Sequence, residues 1–103
     1  MFPAVVFVEL PAFTRRLLDD ESFMDLQIQL VKRPEAGNLI SGGKGLRKIR
    51  WAAKGRGKRG GARVIYYWRT AQGQIILARL YAKNEREYLS ADEMKTVIRE
   101  IGL

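Results

Sequence analysis

Lys48, Arg50, Arg63, Arg69, Arg79 and Lys83, interleaved with Tyr67 and Tyr81, are the side chains of this sequence best suited to chemistry on an anion. Alternation along three strand-like segments sends them all to one face. Lys48 and Arg50 come from the first segment, Arg63, Tyr67 and Arg69 from the second, and Arg79, Tyr81 and Lys83 from the third. The apolar sets Ile49 and Trp51, Val64, Tyr66 and Trp68, and Ile76, Ala78, Leu80 and Ala82 fall opposite them. Arg47 breaks this sorting. Cations meet phosphates, and tyrosine rings offer stacking worth about 1–3 kcal/mol per base, so the pattern suits single-stranded nucleic acid. For any one of these residues a merely solvated basic face is the plainer reading.

The wider charge distribution points the same way. Nine of the twenty residues from Lys44 to Arg63 are basic and none is acidic, so this run carries +9 of a chain whose net charge is +8, and the other 83 residues sum to −1. Charge concentrated on one piece of an otherwise balanced domain attracts a polyanion. Lys54, Arg56, Lys58 and Arg59 lie on a glycine-rich stretch that reads as a basic hairpin tip able to approach a phosphate backbone closely.

What the chain lacks narrows the chemistry further. With no cysteine and no histidine, it has no disulfide, no thiolate metal site and no imidazole base. Any catalysis falls to Lys, Arg, Tyr, Asp or Glu. Asp92 and Glu93 read as a helix start, so no metal or other cofactor is expected. Gly55-Arg56-Gly57-Lys58-Arg59-Gly60 matches the dinucleotide fingerprint in form, but it precedes a strand rather than a helix and no βαβ unit surrounds it. No apolar run is long enough to span a bilayer, and the N-terminus lacks the marks of a secretory signal, so a cytoplasmic protein without membrane contact is expected.

The elements that must position these residues follow from periodicity. The 103 residues make one domain, 1–103, with 47% hydrophobic content to form a core. Residues 4–9 read as a strand. Pro11 opens a short helical segment with Phe13 and Leu17 inward, and a second helix begins near Asp19–Glu21, faces inward through Phe23, Leu26, Leu30 and Val31, and stops at Pro34. Residues 35–44 form a loop. Strands follow over 46–52, 63–69 and 74–82, and Ser90 with Glu93 forms a capping box before a last helix with Met94, Val97, Ile98 and Ile101 on one face, ended by Gly102. The expected class is α+β in the order β-α-α-β-β-β-α, mainly antiparallel, with the helices on one face and the cationic face open.

Taken together, the segments GLRKIRWAAKGRGKRGGARVIYYW and LYAKNEREYLSADE, the opening VFVELPAFTRRLLDDESF and the stretch Arg33-Pro34-Glu35-Ala36-Gly37 resemble the HigB-type branch of the RelE superfamily of bacterial toxins. The resemblance runs over nearly the whole chain. It implies a small sheet with two N-terminal helices on one face and a C-terminal helix. It also implies a type II toxin–antitoxin toxin, an endoribonuclease that enters the ribosomal A site and cuts messenger RNA, with a HigA-like helix-turn-helix antitoxin as partner and operator DNA reached only through that antitoxin.

Carried over position by position, the resemblance implies that Arg63 stabilises the scissile phosphate and that Lys48 and Arg50 hold phosphate or act as base. The family's Gly-Lys-Arg-Glu-type motif appears as Ala82-Lys83-Asn84-Glu85. Because Asn84 replaces a basic residue, the transition-state role passes to Lys83, Arg79 or Arg86 or is absent, and Tyr88 corresponds to a tyrosine near the last helix. The implied reaction is transesterification by the messenger's own 2′-hydroxyl, which needs no protein nucleophile. Lys48 or Lys83 is the candidate base. The alternatives are a non-catalytic RNA- or ribosome-binding module and a protein whose basic face only receives an acidic antitoxin segment.

Overall fold

Strand β5 (Gln74–Ala82) is buried without interruption from Ile75 to Tyr81. A strand buried on both faces needs cover on both, and the chain supplies it with helices on opposite sides of one five-stranded sheet. The computed structural model describes residues 5–17, 20–51, 61–83, 85, 86 and 88–103. Its elements are β1 (Val6–Glu9), α1 (Pro11–Thr14), α2 (Asp20–Lys32), β2 (Asn38–Leu39), β3 (Arg47–Trp51), β4 (Ala62–Arg69), β5 and α3 (Ala91–Ile101). The sheet order is β1-β5-β4-β3-β2, with β1 parallel to β5 and every other pair antiparallel. The α+β order read from the sequence therefore holds, with one addition: the expected 35–44 loop contains β2, which extends the sheet beside β3.

One core lies between the sheet and the N-terminal helices. Phe13 of α1 and Phe23, Leu26 and Leu30 of α2 join Ile49, Trp51, Val64, Tyr66, Ile75, Leu77 and Leu80. Pro11 opens α1 as expected, whereas Val31 is exposed rather than inward. A second core lies on the opposite face, where Val97 and Ile101 of α3 meet Leu46, Ile65, Ile76, Ala78 and Tyr81. The face expected to be open is thus partly covered, because an amphipathic helix must bury its apolar stripe and the N-terminal helices already occupy the other side.

The alternation expected along β5 fails at one point for a local reason. Ile65 pairs with Arg79 while the next residue, Tyr66, pairs with Leu77, so Ala78 is the extra residue of a β-bulge. Leu77 and Leu80 consequently share the N-terminal-helix core, and Ile76, Ala78 and Tyr81 share the α3 core. The expected set Ile76, Ala78, Leu80 and Ala82 is split by that single insertion.

The ends of α3 match the sequence reading in part: the Ser90 half of the expected capping box forms, while the Glu93 carboxylate turns to Arg79 and Arg86. The Ser90 hydroxyl accepts the Glu93 amide N–H at 3.1 Å, and Gly102, at φ 87°, closes the helix through the Ile98 and Arg99 carbonyls. Among the described residues no helix is long and apolar enough to cross a membrane.

Candidate nucleic-acid interface

Strand register assembles the cations. Arg50 lies directly opposite Arg63, Lys48 opposite Ile65, and Arg63 in turn opposite Tyr81, so Lys48, Arg50 and Arg63 project from the α3 face of β3 and β4. Arg50 is exposed, Lys48 is half-buried and Arg63 is buried at 4% exposure. One Arg63 Nη donates to the Ala62 carbonyl at 3.4 Å. Tyr88 is 71% exposed, and the Lys48 ammonium lies 4.4 Å from its ring centroid. Lys83 is exposed just beyond β5, its backbone N–H donating to the Gly61 carbonyl at 3.2 Å.

Other members of the expected set serve the fold. Arg79 is 7% exposed under α3. Its Nε meets Glu93 Oε2 at 3.2 Å, and one Nη meets Glu100 Oε1 at 3.1 Å and the Ala78 carbonyl at 2.7 Å. Its place on an open RNA-binding face is therefore corrected: a guanidinium surrounded by apolar residues has to be paired, and two carboxylates of α3 pair it. Arg86 is bound by the same Glu93 and stands 4.6 Å from the Tyr81 ring. Tyr81, at 1% exposure, is a core residue rather than a stacking platform. Arg69 donates to the Ile101 carbonyl at 2.9 Å and stands 5.6 Å from the Tyr67 ring. Gly45 approaches that ring so closely that a Cβ would come within 2.9 Å of it. Tyr67 is thus half-buried, with one edge of its ring packed against Gly45.

Arg47, the exception in the alternation, has its own task. It donates to the Gly37 carbonyl at 2.8 Å and the Glu35 carbonyl at 3.2 Å, tying the segment after α2 to the sheet. Tyr66 helps from below: the Gly37 N–H donates to its hydroxyl, which donates to the Pro34 carbonyl, and burial raises its pKa. Lys54, Arg56, Lys58, Arg59 and Asn84, with the glycine-rich fingerprint, lie outside the described residues.

The electrostatics of the β5–α3 connection are settled by pairing. Hydrogen bonding to Arg86 holds the Glu93 carboxyl below the usual carboxylate range and raises Arg86. The Ala82 N–H, followed by Arg16, lowers Glu85, which meets Arg16 at 2.7 Å. Glu85 and Glu93 are thus each engaged by a cation. Among the described residues no group of three or more Asp, Glu, His or Cys could hold a metal ion.

Sequence reasoning did not find one element of the site. Asn38, Leu39, Ile40 and Ser41 border a cleft with Lys48, Ile65, Tyr81, Tyr88, Leu89 and Met94. A usable signal was present in Leu89 and Met94, which flank Ser90 at the two positions of a hydrophobic staple. Nothing in the spacing of Asn38 and Ser41 marked them.

No protein-family model matches the sequence. The fold is that of solved structures of the E. coli toxin RelE. A mutant of that toxin in the free state matches with a TM-score of 0.62 at 16% identity, over 98% of this chain and 100% of that one. A chain of the intact E. coli RelBE toxin–antitoxin complex matches with a TM-score of 0.57 at 16% identity, over 77% and 96%. The isolated RelE toxin matches with a TM-score of 0.56 at 16% identity, over 93% and 98%.

Proposed function

We propose that this chain is a toxin of the RelE superfamily, of the HigB type, that cuts messenger RNA in the ribosomal A site. The observation that carries the reading is the cluster of Lys48, Arg50 and Arg63 on one face of β3 and β4, with an exposed tyrosine against Lys48, on a sheet of the same fold as RelE.

The chemistry fits a chain without histidine or cysteine. The 2′-hydroxyl oxygen of the messenger attacks the adjacent phosphorus, the bond from phosphorus to the 5′ oxygen breaks, and a 2′,3′-cyclic phosphate and a 5′-hydroxyl result. The protein must hold the nucleotide, offset the extra negative charge of the phosphorane and relay two protons. Arg50 and Arg63 supply the charge, and one lost donor of this kind costs on the order of 100–1000-fold in rate. Lys48 and Lys83 are the amines available for proton transfer, and Tyr88 supplies a ring for a base. Bending of the messenger by the ribosome completes the alignment. The proposed partners are the ribosome, messenger RNA and a HigA-like helix-turn-helix antitoxin through which operator DNA is reached, and the proposed setting is the cytoplasm.

In vitro translation followed by mapping of messenger ends tests the reading, with Arg63→Ala beside wild type. New ends with wild type and a 100–1000-fold loss in the variant are expected. An intact messenger with wild type, despite salt-sensitive ribosome binding, sinks the nuclease and leaves a binding module. Full activity in the variant sinks the role given to Arg63.

A further inference from the structure

The cleft beside Lys48 has a shape and lining that the phosphate-binding role does not use. Asn38 of β2, Lys48 of β3 and Ile65 of β4 are consecutive cross-strand partners, so they stand in one row on the α3 face. Tyr81 backs Ile65, and Leu89 and Met94 close the side toward α3. The cleft encloses about 340 Å³, within the range of small-ligand sites. Buried Ile65 and Tyr81 form its floor, while Asn38 and Ser41 are exposed at its rim. Lys48 and Tyr88, which line the same cleft, are in contact with each other.

A ligand that satisfies this lining has a flat apolar body, a polar edge and an anionic neighbour. A nucleobase attached to a phosphate meets all three requirements. Its faces match Ile65, Leu89 and Met94. Its edge matches an amide and a hydroxyl, which between them offer both donors and acceptors. Its phosphate reaches the cations of β3 and β4. RNA is read with sequence preference mainly where bases are unstacked and turned outward.

We propose that the cleft receives one outward-turned base of the bound RNA, next to the phosphate held at Lys48, Arg50 and Arg63, and that Asn38 and Ser41 read its edge and so set base preference at that position. This inference rests on the RNA reading above and makes it specific.

Titration of the full chain with each of the four nucleoside 3′-monophosphates, with inorganic phosphate in parallel, tests the proposal by methyl NMR. At least one nucleotide is expected to shift the Met94 and Ile65 methyls saturably. Phosphate alone is expected to leave them in place, and the exposed Met24 on α2 serves as internal control. Asn38→Ala and Ser41→Ala, both at exposed positions, are expected to weaken the preferred nucleotide on the order of tenfold relative to the other three.

Shifts confined to signals of the Lys48–Arg63 cluster, with Met94 and Ile65 silent, would overturn the base cleft and leave the phosphate site standing. Equal weakening of all four nucleotides in both variants would overturn the reading of the edge. No response anywhere to any nucleotide or to phosphate would remove the RNA reading itself, and the cleft with it.

Discussion

Arg50 and Arg63 stand directly opposite each other across the antiparallel β3–β4 pair. Facing like charges destabilise a sheet by roughly 0.2–1 kcal/mol relative to neutral pairs. Arg50→Thr, which also improves strand propensity, is expected to raise stability by up to about 1 kcal/mol in denaturant unfolding. The same variant is expected to bind RNA more weakly, with the slope of log K against log salt reduced by about one. Lower stability together with unchanged salt dependence would contradict the assignment.

Tyr88 separates ring from hydroxyl. The contact with Lys48, at 4.4 Å, is worth about 0.5–1 kcal/mol at an exposed site. Tyr88→Ala is therefore expected to cost less than about 1 kcal/mol of stability while reducing messenger cleavage at least tenfold. Tyr88→Phe, which keeps the π face, is expected to retain most activity. Equal loss in both variants would give the role to the hydroxyl instead.

Glu93 gives the fold a defined acid sensitivity. Its pKa is lowered chiefly by the hydrogen bond to Arg86, with Arg79 contributing as well. For a carboxyl lowered on folding, the stabilisation is complete above the unfolded value and is lost as pH falls through the folded one. Here that places the loss below an ordinary glutamate's 4.5. Glu93→Gln is expected to be less stable than wild type by about 1–3 kcal/mol near neutral pH, since it removes the carboxylate that pairs both Arg79 and Arg86. The gap should close on acidification, measured as melting temperature from pH 7 to pH 3.

Gly45 is held at φ 102° with its α-carbon against the Tyr67 ring. A side chain there meets both an unfavourable backbone region and a contact of 2.9 Å. Gly45→Ala is expected to cost about 1–3 kcal/mol, visible as a melting temperature lower by several degrees. Tyr67→Leu in the same background should recover part of that loss, because the ring is what the new methyl strikes.

Much of the sheet was legible because β4 is regular: Val64, Tyr66 and Trp68 lie where alternation put them, and so do Lys48, Arg50 and Arg63. The errors have local physical causes. A bulge has no composition of its own, so Ala78 could not be told from an ordinary strand residue. The covered face could have been foreseen: Ile65 and Tyr67 sat among the cations, and the apolar stripe of α3 needed a partner. The fate of Arg79 could not, since it depends on Glu93 and Glu100, which reach it only once α3 has docked. The cleft depends on β2 meeting β3, and two residues of strand leave no periodicity to read.

The extra residue of β5 has a consequence for how the chain can change in length. Removing Ala78 would leave Leu77, Arg79, Leu80 and Tyr81 in strict alternation, each still pointing to its present side. Removing Leu80 instead would bring Tyr81 opposite Val64 and turn its hydroxyl into the layer of phenylalanines beneath the N-terminal helices. One strand thus holds both a dispensable link and an indispensable one two positions away, and a single-codon deletion scan would find them.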